Sequence, residues 1–263
     1  MGICTLGILD RQKTEEKMSK FKIEVCALSV QSAINAAAAG AYRVELCDNY
    51  FEGGTTPGPG TIELARKNIP IKLNVLIRPR GGDFLYSGIE LETMLKDIYA
   101  VKNLNGDGIA VGVLRADGKI DRDIMKEIIA LAHPMSVTFH RAFDNTADPF
   151  EALETLIELG ADRILTSGGA GSAMQGKDII ASLVQKAGGR IIIMPGAGIN
   201  DKNIKELALL TGAVEFHLSA KSIVESKMVQ KGNVDFTYEL PYGAYIESSR
   251  EKIKKTVDTI NNL

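Results

Sequence analysis

The chain has 263 residues, of which 45% are hydrophobic and 24% charged. That balance is ordinary for a globular domain and excludes a disordered or fibrous chain. Thirty-one Lys and Arg stand against 33 Asp and Glu, a formal net charge of -2, so the basic excess of a nucleic-acid binder is missing and no nucleic-acid partner is expected. No apolar run approaches the ~18 residues of a membrane span, and a chain of this length buries roughly three quarters of its extended surface, enough for a core without disulfide or metal.

Residues 1–17 read as an N-terminal appendage, expected to be poorly ordered. The stretch from Met1 to Leu9 has no basic leader, its apolar part is short for a signal peptide, and charged residues follow from Asp10 to Lys17. Three cysteines, Cys4, Cys26 and Cys47, are too few for a secreted disulfide framework. A cytoplasmic protein is therefore expected.

From there on, short Val, Ile and Leu-rich segments alternate with helical patterns. Strands are predicted near 21–26, 43–47, 72–78, 108–114, 136–140, 163–167, 190–195 and 215–219. Helical segments fall between them, among them 29–39, 89–103 and 150–159. Asp148-Pro149-Phe150-Glu151 places a capping side chain, a proline at the first helical position and a glutamate reaching back. Asn200-Asp201 is read as opening a helix over 201–209, and Gly40, Gly160 and Gly212 stand where helices should end. The tail from Ser226 leaves the strand rhythm. Its tyrosines 238, 242 and 245 suggest cover for one mouth or a subunit contact, and 246–262 reads as a final amphipathic helix with Ile246, Ile253, Val257 and Ile260 on one stripe.

Eight strand–helix units in about 250 residues are the pattern of a (β/α)8 TIM-type barrel, so 18–263 is predicted to form a single α/β barrel domain with a C-terminal closing helix. A doubly wound open sheet is the rival, but Cys26-Ala27-Leu28-Ser29 after the first strand is no glycine-rich dinucleotide fingerprint.

Alternation then separates lumen from exterior. Ile23, Val25, Val44, Leu46, Leu73, Val75, Ile77, Val137, Phe139, Phe216 and Leu218 point to the helices. The lumen receives Glu24, Cys26, Arg43, Glu45, Cys47, Asn74, Leu76, Arg78, Thr138, His140, Glu215, His217 and Ser219. Buried ionisable groups need partners or a ligand. Pairing of Arg43 or Arg78 with Glu24 or Glu45 is one explanation. A ligand-facing role is the other, and His140 and His217, near the strand C-termini where barrel active sites form, favour it. Gly-rich loops follow strands 2, 3, 6 and 7 and the polar run Arg141-Ala142-Phe143-Asp144 follows strand 5, which makes Arg78, Arg141, Asp144, Ser167, Gly168, Gly196, Gly198 and Ser219 candidate ligand contacts, with Lys221 as an added positive charge. Tight turns are the plain alternative.

Cys26 and Cys47 occupy matching upper ends of neighbouring strands. Close thiolates suit a soft ion such as Cu(I), or Zn(II) with a histidine. Two small buried residues filling a narrow strand end, or a disulfide in an oxidising compartment, remain open.

The run Arg43-Val44-Glu45-Leu46-Cys47-Asp48, with Glu52-Gly53-Gly54-Thr55-Thr56-Pro57, resembles the CutC copper-homeostasis family. So do Phe139-His140-Arg141-Ala142-Phe143-Asp144, Leu165-Thr166-Ser167-Gly168-Gly169, Met194-Pro195-Gly196-Ala197-Gly198-Ile199 and Glu215-Phe216-His217. The resemblance implies a cytoplasmic TIM-type barrel connected with copper handling, often a homodimer, in which Cys26 and Cys47 hold Cu(I). Two expectations follow. One is a protein that binds copper through these cysteines. The other is an enzyme acting on a small metabolite, phosphorylated or not, with Glu24, Glu45, His140 and His217 as acid–base or metal-binding groups. A Schiff-base aldolase is not expected, because Leu165-Thr166-Ser167 ends strand 6 without a lysine.

Overall fold

The computed structural model describes residues 20–230, 232–234 and 239–263. The expectations for the appendage, for Cys4 and for Tyr238 fall outside the described residues.

Eight parallel strands form the centre: β1 Lys22–Ala27, β2 Arg43–Leu46, β3 Lys72–Leu76, β4 Gly108–Val111, β5 Ser136–Phe139, β6 Arg163–Thr166, β7 Ile192–Pro195 and β8 Glu215–Leu218. Helices α1 Val30–Ala38, α2 Pro59–Asn68, α3 Gly88–Asn103, α4 Arg122–Ala132, α5 Pro149–Leu159, α6 Lys177–Ala187 and α7 Ile204–Thr211 separate successive strands. Each strand pairs with its predecessor as far as β7, and β1 also pairs with β8. β7 and β8 lie side by side across a seam that carries no ladder among the described residues. The result is a nearly closed (β/α)8 barrel.

Strand exteriors and helix faces share one large core. Val25, Val44, Val75, Ile109, Phe139, Ile164 and Phe216 are fully buried in it against helix residues such as Ala36, Ile98, Ile128, Leu156 and Leu183. Such burial is the main favourable term for folding. The start of α5 is as read from its sequence: the Asp148 carboxylate accepts the N–H groups of Phe150 and Glu151, and Pro149 takes the first turn.

Two local readings need correction. Helix α7 begins at Ile204 rather than 201, because residues 200–203 close a turn of their own. Asn200 Oδ1 accepts the Lys202 N–H and Asn203 Oδ1 accepts the Asn200 N–H, each at 2.9 Å. Ile246 belongs to no helix. It lies in β10 Tyr245–Ser248, antiparallel to β9 Lys221–Val224 and opposite Ile223. Only from Ser249, which caps α8 Arg250–Asn261, does the helix run, packing Ile253, Val257 and Ile260 inward against α1 and α7.

Candidate metal and ligand site at the barrel mouth

Register brings the lumen residues into layers. Glu24 lies opposite both Arg43 and His217, Cys26 opposite Glu45, and Arg163 opposite Thr138. In the lower layer the charges answer one another. Arg43 Nε pairs with Glu24, and its Nη2 donates to Glu215 Oε2 at 2.8 Å. Arg163 Nε donates to the same oxygen at 2.9 Å and its Nη1 to Thr138 Oγ1 at 3.2 Å, while Lys22 Nζ lies 3.4 Å from Glu215 Oε1. Burial alone would raise the glutamate pKa values, but Arg43 and His217 hold Glu24, and Arg163 and Arg43 hold Glu215, below the usual carboxylate range. Internal pairing therefore accounts for Glu24 in part, and for Arg43 fully.

The upper layer is built differently. Cys26 Sγ and Cys47 Sγ are 3.5 Å apart, and Cys47 Sγ lies 3.5 Å from Glu45 Oε2. Cys26, Cys47 and Glu45 each offer a ligand atom within 4.8 Å of the others. His217 bridges the layers, with Nδ1 2.7 Å from Glu24 Oε1 and Nε2 3.8 Å from Glu45 Oε2. Burial opposes a charge on His217, yet Cys26, Glu24 and Glu45 outweigh it and raise its pKa well above the ordinary value. The hydrogen bond with Cys47, helped by His217 and opposed by burial, brings the Cys26 thiol down to about 5; the same bond, with burial, drives Cys47 up. Burial lifts Glu45 to about 8 against the pull of His217. One thiolate, one adjoining thiol and a carboxyl group, packed on Leu76 and Ala110, make a donor set that fits a soft monovalent ion.

Across the mouth, a cavity of about 390 Å³ joins this cluster to Arg78, His140 and Phe84. His140 is 4% exposed. Its Nδ1 accepts the Ala142 N–H at 3.2 Å, which leaves the ring proton on Nε2, and Nε2 has no partner among the described residues. Burial, then the charge of Arg78, depresses the His140 pKa to about 3, so the ring is neutral. Gly112 fixes where that ring lies. A Cβ at position 112 would stand 2.7 Å from His140 Cε1 and Nδ1.

A profile of the CutC family matches residues 21–222. The chain belongs to the CutC family. Over 241 residues it is 51% identical to a CutC family protein of Parabacteroides distasonis, covering 88% of this chain and 97% of that one. A copper homeostasis protein cutC homolog of Homo sapiens is 44% identical over 236 residues, with 90% and 85% covered. A crystal structure of a CutC from Streptococcus agalactiae superposes with a TM-score of 0.72 at 33% identity, covering 75% of this chain and 97% of that one. Membership of this copper-homeostasis family agrees with the barrel and with the paired sulfurs. No helix among the described residues is long and apolar enough to cross a membrane.

The remaining candidate residues divide between the cavity and the loops around it. Arg78, Arg141 and Asp144 line the cavity, but Arg78 meets no carboxylate. Its Nη1 donates to the carbonyls of Glu52 and Gly54, both at 2.6 Å, and its Nη2 to Gly82 at 2.9 Å. The loop after β6 is filled from within. Asp144 accepts the N–H groups of Ser167 and Gly169 and the hydroxyls of Thr166 and Ser167, while Gly168 donates to Thr166 Oγ1. Gly196 donates its N–H to Thr166 in the β6–β7 ladder, and Gly198, like Ser219, lies outside the cavity wall. Lys221 sits over the Tyr50 ring, 4.7 Å from its centroid. Sequence reading of this CutC family member missed Arg163, although alternation along Arg163-Ile164-Leu165 would have turned it inward. It also missed Phe84 and Tyr50, which irregular loops deliver and no periodicity marks.

Proposed function

We propose that this CutC family member binds Cu(I) through Cys26 and Cys47 at the mouth of the barrel and serves copper homeostasis in the cytoplasm. The observation that carries the reading is the 3.5 Å approach of the two sulfurs, one held as thiolate, beside Glu45. Soft thiolates select a soft ion. Copper is the cargo here. Cys26 and Cys47 are the donors that would hold it, and His217 orients and polarises Cys26. A homodimer belongs to the same reading, supported by exposed Leu209, Leu210 and Val214 at the end of α7, and sedimentation equilibrium tests it. For copper the test is anaerobic Cu(I) titration against a competing chelator. Cys26→Ser and Cys47→Ser should each weaken binding by about a hundredfold or more, roughly 3 kcal/mol. Equal affinity in both variants and the unaltered chain would end the reading.

A second reading, favoured by the cavity itself, is that the mouth also receives a small metabolite. Glu45, with a pKa near 8, suits acid–base work near neutral pH, beside a His217 that Cys26, Glu24 and Glu45 hold charged. His140 and Arg78 suit contact with the ligand, and Arg141, Asp144, Ser167, Gly168, Gly196, Gly198 and Ser219 would support the rim. Thermal stabilisation across a panel of neutral, carboxylated and phosphorylated metabolites tests it. A panel without a single shift would remove it.

A further inference from the structure

The mouth carries one buried positive charge that forms no ion pair with a carboxylate among the described residues. Arg78 is 5% exposed. Its guanidinium donates to three backbone carbonyls, its Nε–H has no partner, and no described carboxylate forms an ion pair with it. Tyr86, nearby, is a phenol whose pKa burial raises, so it brings no charge. Elsewhere around the cavity Arg141 pairs with Asp144, and His217 with Glu24. A buried, unpaired cation is unfavourable unless something supplies the missing anion.

The neighbouring donor has the same character. His140 Nε2–H is buried and unpartnered, its ring held by Ala142 and Gly112, and its face packed 5.1 Å from the Phe84 centroid. Arg78 stacks over that same phenyl ring at 5.3 Å. Phe84 thus sets a charged donor and a neutral donor along one wall of the cavity.

We propose that this wall binds the carboxylate of a small organic acid, its charge answering Arg78 and an oxygen accepting the Nε2–H of His140. The inference rests on the second reading above and narrows it to a ligand class. One unmatched positive charge calls for a monoanion. A phosphate would look to backbone donors, and those after β6 are occupied, since Ser167 and Gly169 donate to Asp144. Bound in this way, the carboxylate leaves the rest of the molecule in the cavity that Glu45 and the two cysteines also line.

The test uses the full chain, labelled with nitrogen-15 at histidine, titrated with pyruvate, propionate, inorganic phosphate and glycerol under reducing conditions. Pyruvate or propionate should bind and shift the His140 Nε2 resonance. His140→Leu should weaken that binding about tenfold or more, and His140→Gln, which keeps an N–H donor, should restore part of it. Circular dichroism checks that both variants fold. Carboxylate binding that His140→Leu leaves unchanged would overturn the proposal, as would tighter binding of phosphate with the same histidine shift. If glycerol binds while His140 stays silent, the carboxylate inference falls and the second reading stands. If nothing binds, both fall.

Discussion

The two ends of the lumen are made of similar residue types and solve opposite problems. Below, Glu24, Arg43, Glu215 and Arg163 form a chain of ion pairs in which each charge meets at least one opposite charge within 3 Å. Above, Glu45 Oε1, His140 Nε2 and Arg78 Nε are buried with no partner among the described residues. Asn74 and Tyr86 also bury unpartnered polar atoms away from the cavity wall, but buried polar groups are nearly always satisfied in native proteins, and three unsatisfied ones on one cavity point to a place where something else binds. The lower layer closes the barrel, and the upper layer leaves its valences open.

Breaking the lower layer should have the largest effect. Arg43→Met leaves Glu24 to His217 alone and Glu215 to Arg163 and Lys22, so a loss of about 3 kcal/mol is expected in urea unfolding. A loss below about 1 kcal/mol would show that the two layers do not differ in this way. The upper layer should reveal itself through pH. The pKa of His140 is about 3 folded, against an ordinary 6.5. Between those values the unfolded chain takes up a proton that the folded chain refuses. Stability therefore falls as pH drops through the window, by up to about 1.4 kcal/mol per pH unit. His140→Gln should flatten that slope, worth about 2–3 kcal/mol two units below 6.5; parallel slopes for variant and parent would refute the neutral-ring assignment. Smallest of the three is the rim. Asp144→Asn keeps the shape but accepts fewer hydrogen bonds, so about 1–2 kcal/mol should be lost. Amide exchange at Ser167 and Gly169 should quicken, and unchanged exchange would mean that Asp144 does not hold the loop.

How far the sequence reached follows the range of the forces involved. Strand alternation is local, and it turned Glu24, Cys26, Arg43, Glu45, His140 and His217 inward without any knowledge of neighbours. The Asp148 cap is equally local. What failed was decided by distant chain. Ile246 continues the apolar stripe of α8 in spacing, but pairing with Ile223 across β9 places it in a strand. Local reading also could not see where donors are spent: carbonyls of two loops, around 52–54 and 82, hold the Nη atoms of Arg78, and after β6 Asp144 takes the N–H groups of Ser167 and Gly169 while Thr166 Oγ1 takes that of Gly168. Side-chain chemistry can be read off one residue at a time, whereas the spare capacity of a donor depends on everything folded around it.

Gly112 shows how that dependence reaches a residue with no chemistry of its own. It supplies no proton, charge or ligand atom, yet the imidazole across from it can occupy its place only while position 112 stays bare. A single methyl group there would evict the ring, misdirect its one free hydrogen and leave every reactive residue in the sequence intact. Inventories of functional groups overlook such positions, although a single added carbon at residue 112 would push aside the histidine on which this side of the mouth depends.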